Sequence, residues 1–195
     1  DRGGRMYLYG QPSCDRRTNR SGDSCASEGG KDCGNFAEST FIKIEVHGMK
    51  RVLLIHDLCS VGKAAMMNMI PVLSVMGIEV CPLPTMLLST HTGGFGRPEI
   101  LPVPGTYLEE SLRHFQREQI RFDCIFVGYL GNAEMAQTVS ELLDMESEPS
   151  VILDPIMGDH GKYYSNFDET YKEALIPLLG KADLLLPNLT EAAFL

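Results

Sequence analysis

The sequence contains no tryptophan, so no ligand grip here rests on an indole anchor. It has no run near the roughly 20 apolar residues that cross a bilayer. Val52–Ile55 and Leu184–Leu186 are among its best stretches, so no transmembrane helix and no membrane partner are expected. It has no G-x-x-x-x-G-K-[ST]. Val61-Gly62-Lys63-Ala64 offers the Gly-Lys pair without the hydroxyl or the earlier glycine, which excludes a P-loop NTPase. No G-x-G-x-x-G follows a strand; Gly93-Gly94-Phe95-Gly96 opens no helix, so a nicotinamide dehydrogenase loses its main support. C-x-x-C is absent, and with it the usual basis for a zinc site. There is no basic excess either. Seventeen Lys and Arg face 26 Asp and Glu, a net charge of −9, so nothing general counters a phosphate backbone and no nucleic-acid partner is expected.

What is present is unevenly spread. Residues 1–48 hold seven basic and seven acidic side chains, so the whole −9 belongs to residues 49–195. The first stretch is rich in Gly and Ser and poor in apolar residues. It is expected to be a disordered or loosely attached extension, because it buries too little to offset its ordering entropy. Met6-Tyr7-Leu8-Tyr9 is too short for the apolar stretch of a signal peptide. Met49, followed at once by Lys50, Arg51 and an apolar run, reads as the start of the folded part. Cys59, Cys81 and Cys124 lie in apolar strand-like runs. They read as buried free thiols of a reducing, cytoplasmic compartment.

From Met49 onward, short β-rich runs alternate with helical ones. Strands are expected at Arg51–His56, Ile78–Leu83, Asp123–Tyr129, Ser150–Leu153 and Asp183–Leu186. Helices are expected over Gly62–Met76, Thr106–Arg117, Asn132–Glu146 and Phe167–Leu179, with a last one from Leu189. Pro82 and Pro84 should close the second strand, leaving Thr85–Thr106 irregular. Thr106, with Glu109 three residues on, has capping-box spacing. Five such units argue an α/β fold, a doubly wound and mainly parallel sheet with helices on both faces. Sheets of this kind bind ligands at the carboxyl ends of their strands.

The residues after each strand carry the chemistry. His56 and Asp57 close the first, His91 and Thr92 follow the second, Gly128 and Tyr129 the third. Asp154-Pro-Ile-Met-Gly-Asp159 follows the fourth, and Pro187-Asn188-Leu-Thr-Glu191 the fifth. Asp154, Asp159 and Glu191 are hard oxygen donors on separate loops of one edge, a set that suits Mg²⁺ with waters and phosphate oxygens. The same residues also suit plain turn caps and a helix's first turn. Tyr129 after Gly128 offers a ring face with room beside it. His91 fits either a ligand grip or a backbone-bonded loop histidine.

Taken in order, I-H-D-L-C-S-V-G-K (55–63), L-S-T-H-T-G-G-F (88–95), G-Y-L-G (128–131), D-P-I-M-G-D (154–159) and L-P-N-L-T-E-A (186–192) resemble the pyridoxal kinase family of the ribokinase-like superfamily. The resemblance covers residues 49–195. It implies transfer of the ATP γ-phosphate to the 5′-hydroxymethyl of pyridoxal, pyridoxine or pyridoxamine, in vitamin B6 salvage. It implies vitamer contacts from Asp57, His91, Thr92 and Tyr129, ATP or phosphate contacts from Asp154, Asn188 and Glu191, and Mg²⁺ at Asp159 and Glu191, with K⁺ as a further cation and a homodimer as the assembly. Leu186 stands where the family often has Thr. The family's catalytic base and Gly-rich anion hole belong to a second half with no counterpart in these motifs, so the 195 residues are expected to be an N-terminal part that is inactive alone. The alternatives are a hydroxymethylpyrimidine kinase of the same superfamily and a non-catalytic ligand-binding fragment.

Overall fold

The computed structural model of the chain describes residues 3–6, 44–47, 50–92, 95–146 and 148–195. The chain divides into two units, Asp1–Gly48 and Met49–Leu195. In the first, β1 (Gly3–Met6) pairs antiparallel with β2 (Ile44–His47), setting Gly3 opposite His47. The expectation of a disordered extension falls largely outside the described residues.

The second unit is built on a six-stranded sheet. Its strands are β3 (Arg51–Val61), β4 (Glu79–Thr90), β5 (Ile100–Pro102), β6 (Cys124–Val127), β7 (Ser150–Leu153) and β10 (Leu184–Leu185). The order is β10-β7-β6-β3-β4-β5, parallel throughout except for the antiparallel pairing of β5 with β4. The helices are α1 (Met66–Val75), α2 (Gly105–Arg117), α3 (Ala133–Asp144), α4 (Glu169–Leu179) and α5 (Leu189–Phe194). The chain steps from β3 to β4 on one side, then returns past β3 to β6 on the other. Right-handed crossovers therefore put α1 on one face and α2, α3 and α4 on the other. The expected doubly wound α/β architecture is present, and its topological switch point lies at the carboxyl end of β3.

The core lies beneath α2, α3 and α4, where Leu53, Leu108, Val127, Val139, Leu153 and Leu178 are essentially inaccessible. α1 is apolar nearly all round and buries only Met66, leaving Val72, Val75 and Met76 exposed. At the β10 edge Leu184, Leu185 and Leu186 are also exposed. Among the described residues no helix is long and apolar enough to cross a membrane.

Three expectations need correction. First, β3 and β4 run on past His56 and Leu83, to Val61 and Thr90, so Asp57–Val61 and the start of the expected irregular stretch are strand. Pro82 and Pro84 do not stop β4. Glu79 N–H donates to Lys50 on the β3 side, so alternation turns the even positions toward the outer edge. There β5 pairs only from Met86, and no N–H is needed at 82 or 84. Second, α2 starts after Pro104 and Thr106 lies inside it, because the two prolines at 102 and 104 keep the chain extended to that point. Third, a two-stranded hairpin, β8 (Gly158–Asp159) with β9 (Lys162–Tyr163), was not anticipated. It closes through His160 and Gly161, both at positive φ (50° and 75°), as a tight hairpin turn requires.

Candidate active site

The switch point is shaped by a bulge. His56 pairs with Pro84, but Asp57 pairs with Met86, so Thr85 has no partner across the ladder. Its buried hydroxyl donates instead to Tyr129 O at 2.9 Å, tying β4 to the segment after β6. His56 and Asp57 are both buried. His56 Nδ1 lies 2.8 Å from Asp57 Oδ1 and 2.9 Å from the Asp57 backbone N. One ring nitrogen cannot donate and accept together. A carboxylate oxygen only accepts and a backbone N–H only donates, so Nδ1 donates to Asp57 Oδ1 in one tautomer and accepts from the Asp57 N–H in the other. The imidazole stacks over Phe126 (centroids 6.5 Å apart, planes 10°) and lies against Gly128, where a Cβ would come within 2.2 Å of the ring. The glycine before Tyr129 is thus required by His56.

Tyr129 is half-buried beside this pair. Its ring packs on Phe167 at 5.2 Å, and its Oη accepts from Asn166 Nδ2 at 2.7 Å. Burial holds its phenol above the ordinary range; the Asn166 bond draws it back and the Asp57 carboxylate raises it further. His91 and Thr92 follow the carboxyl end of β4. His91 N–H donates to Val61 O at 3.1 Å, and its ring meets Phe95 edge-on at 5.0 Å. Gly62, at φ 113°, leaves the space that ring occupies. Thr92 is exposed.

The acids of the other loops are held by α5. Asn188 Oδ1 accepts from the N–H groups of Thr190 and Glu191 (2.9 and 3.0 Å), and Glu191 Oε2 accepts from Asn188 N–H (2.9 Å), a complete capping box. Glu191 Oε1 reaches across to accept from Met157 N–H at 3.1 Å. Asn188 Nδ2 donates to Gly158 O, and Thr190 Oγ1 accepts from Gly161 N–H, both at 2.9 Å. Three side chains of one turn therefore lash the 157–161 segment to the helix. Burial pushes the Asp154 carboxyl up to about 6; Glu191 adds to the rise and His56 opposes it. Tyr164 feels Asp154, Asp159 and Glu191 together, all raising its phenol after burial does. Asp159 is exposed in the hairpin, its Oδ1 accepting from His160 N–H at 2.7 Å.

Of the expected site residues, the structure brings Asp57 beside Tyr129, and Asp154 beside Glu191 with His56 between the two pairs. His91 and Thr92 stand farther along the β3–β4 pair. Among the described residues no three metal-capable side chains form a ready cation cage. The donor chemistry still fits a hard cation that keeps most of its waters: a carboxyl raised partly by a second carboxylate is a place where added positive charge is favourable. Thr85 and Asn166 were not singled out from sequence, and His56 was noted only beside Asp57 at the end of the first strand. The packing of His56 on Gly128 joins neighbouring strands 72 positions apart in sequence, so no local signal marks it.

The profile of the phosphomethylpyrimidine kinase family matches residues 70–195, which include every expected site residue except Asp57. A pyridoxal kinase structure from Lactobacillus plantarum is 37% identical, with a TM-score of 0.70 over 74% of this chain and 52% of that one. A Bacteroides thetaiotaomicron protein, provisionally assigned as a phosphomethylpyrimidine kinase and crystallised with pyridoxal, is 34% identical with a TM-score of 0.70, over 75% of this chain and 51% of that one. A Schizosaccharomyces pombe protein provisionally assigned as a pyridoxal kinase is 31% identical over 162 residues, 80% of this chain and 46% of that one. The chain thus spans about half the length of the relatives it matches. With more than half of its residues inside the profile, the chain belongs to the phosphomethylpyrimidine kinase family of the ribokinase-like superfamily, where its relatives include pyridoxal kinases.

Proposed function

We propose that this chain forms the vitamer-binding edge, and part of the phosphate side, of an ATP-dependent pyridoxal kinase. The observation that carries it is the meeting at one switch point of a ring-and-carboxylate pair, Tyr129 with Asp57, and a carboxylate pair, Asp154 with Glu191, with His56 between them. The names of the relatives point the same way. In the reaction the 5′-hydroxyl oxygen bonds to the γ-phosphorus, the bond to the ADP oxygen breaks, and the hydroxyl proton passes to a base. That base belongs to the half of the relatives that this chain does not match. Asp57, Tyr129, His91 and Thr92 would orient the ring. Asp154, Asn188, Asp159 and Glu191 would serve the phosphates and Mg²⁺, which supplies charge neutralisation for the transferring group. K⁺ as a second cation, a cytoplasmic setting and a homodimer belong to the same reading.

The test is a vitamer titration of the 195-residue chain, by calorimetry and by the near-ultraviolet band of pyridoxal. Saturable binding is expected, weakened about tenfold by Asp57→Asn, the scale of one charge-assisted hydrogen bond. No turnover is expected with ATP and Mg²⁺. Displacement of pyridoxal by 4-amino-5-hydroxymethyl-2-methylpyrimidine at lower concentration would replace this reading with the pyrimidine kinase one. ATP-dependent formation of pyridoxal phosphate by these residues alone would overturn the assignment of the base to the other half.

A further inference from the structure

Asn166 has a role that the expected site did not include. It lies between β9 and α4 on a braced loop. Tyr164 N–H donates to Met157 O, Phe167 N–H donates to Tyr164 O, and Asp168 caps α4 by accepting from Tyr171 N–H. Phe167 stacks on Tyr171 (3.9 Å, 11°) and supports the ring of Tyr129. The Asn166 amide nitrogen lies 2.7 Å from Tyr129 Oη and 3.3 Å from Gly131 O. A main-chain carbonyl can only accept, so the Gly131 contact fixes which end of the amide faces inward. The phenol oxygen must then accept from Asn166. Its one proton is left outside this pair.

We propose that Asn166 is a positioning residue that acts through Tyr129. It holds the Tyr129 hydroxyl as a hydrogen-bond donor to the ligand and so favours a vitamer bearing an acceptor at the ring's 4-position over one bearing an ammonium. The inference rests on the B6 reading above. The chemistry separates the vitamers cleanly: the pyridoxal aldehyde oxygen only accepts, the pyridoxamine ammonium only donates, and the pyridoxine hydroxymethyl does both. A site built to donate leaves an ammonium facing a proton.

Asn166→Asp tests this, because it keeps the shape and replaces the donor by an acceptor. The Tyr129 proton then turns to the new carboxylate and leaves a lone pair for the ligand. The readout is the ratio of pyridoxal to pyridoxamine affinity, measured by calorimetry on the 195-residue chain. The ratio is expected to fall about tenfold in Asn166→Asp and about threefold in Asn166→Ala, where the hydroxyl is merely freed. In a Tyr129→Phe background both changes should leave the ratio within about twofold, since without the phenol nothing transmits them. A ratio unmoved by Asn166→Asp would overturn the proposal. So would a shift that persists in the Tyr129→Phe background, for it would come from the new charge alone. If the unsubstituted chain binds neither vitamer, the B6 reading itself falls, and that result is distinct from an unmoved ratio.

Discussion

Asp154 carries the clearest electrostatic signature of any single residue here. Burial, then the Glu191 carboxylate, push its carboxyl from an ordinary 3.8 up to about 6, while His56 pulls the other way. A carboxyl raised on folding binds its proton more tightly in the folded state than in the unfolded one. Between about pH 4 and pH 6 the folded state therefore holds more protons, and stability falls as the pH rises through that window. The group is only partly buried, so solvent screening cuts the effect to about 1 kcal/mol at neutral pH. Asp154→Asn removes the titration. It should raise the thermal midpoint at pH 7 to 8 and leave it nearly unchanged below pH 4. An equal shift at both ends of the range would show that the carboxyl's charge is not what costs stability. The position of Asp154 was legible because a strand-ending Asp-Pro followed by Gly-Asp is unusual. The pressure on it was not, since it comes from Glu191, 37 positions on, and from His56 two strands away.

At the scale of elements, the alternation of strands and helices was readable because each run is short and bounded by Gly, Pro or Asn. The strand and hairpin errors share one cause. A proline, a bulge or a positive-φ turn reads locally as a break, yet it becomes part of a ladder once a neighbour supplies or spares a hydrogen bond. Pro82 and Pro84 sit on the side of β4 that no strand claims at that height. The His56–Asp57 bulge survives because Thr85 finds Tyr129 O. The small hairpin β8–β9 is held by α5 rather than by its own two-residue strands, which no local pattern announces. Glu191 is the centre of that attachment. Its two oxygens serve the N–H groups of Asn188 and Met157, and it is buried. Glu191→Ala leaves both amides without a partner and should cost about 2–4 kcal/mol by urea unfolding. Glu191→Gln keeps one acceptor and turns its amide toward the other donor, so roughly half that loss is expected. If Glu191→Ala costs less than about 0.5 kcal/mol without added metal, the carboxylate is not structural and its value lies in ligand binding alone.

Across the whole second unit, acids stand at both ends of the sheet. At the amino ends of the strands the bases are consumed in pairs: Lys50 with Asp123, Arg51 with Glu79, Arg121 with Glu148. At the carboxyl ends Asp57, Asp154, Asp159 and Glu191 collect. Residues 49–195 hold ten basic and nineteen acidic side chains, and Lys63, Arg97 and Lys162 are the bases in the loops and hairpin at this end. An edge built this way repels a bare polyphosphate and accepts one that arrives with a cation. Two kinds of positive charge would relieve it differently. Sodium chloride screens every exposed acid alike, whereas Mg²⁺ held by the loops would stabilise by mass action. At matched ionic strength MgCl₂ should therefore raise the thermal midpoint by about 3–5 °C more than NaCl when present at roughly ten times its dissociation constant. Asp159 is exposed, so Asp159→Asn removes the proposed cation donor without disturbing the core. That variant should keep the response to NaCl and lose the excess due to Mg²⁺. Equal midpoints in the two salts for the unsubstituted chain would mean that the acidic edge is balanced by diffuse counterions and that these loops hold no divalent cation of their own.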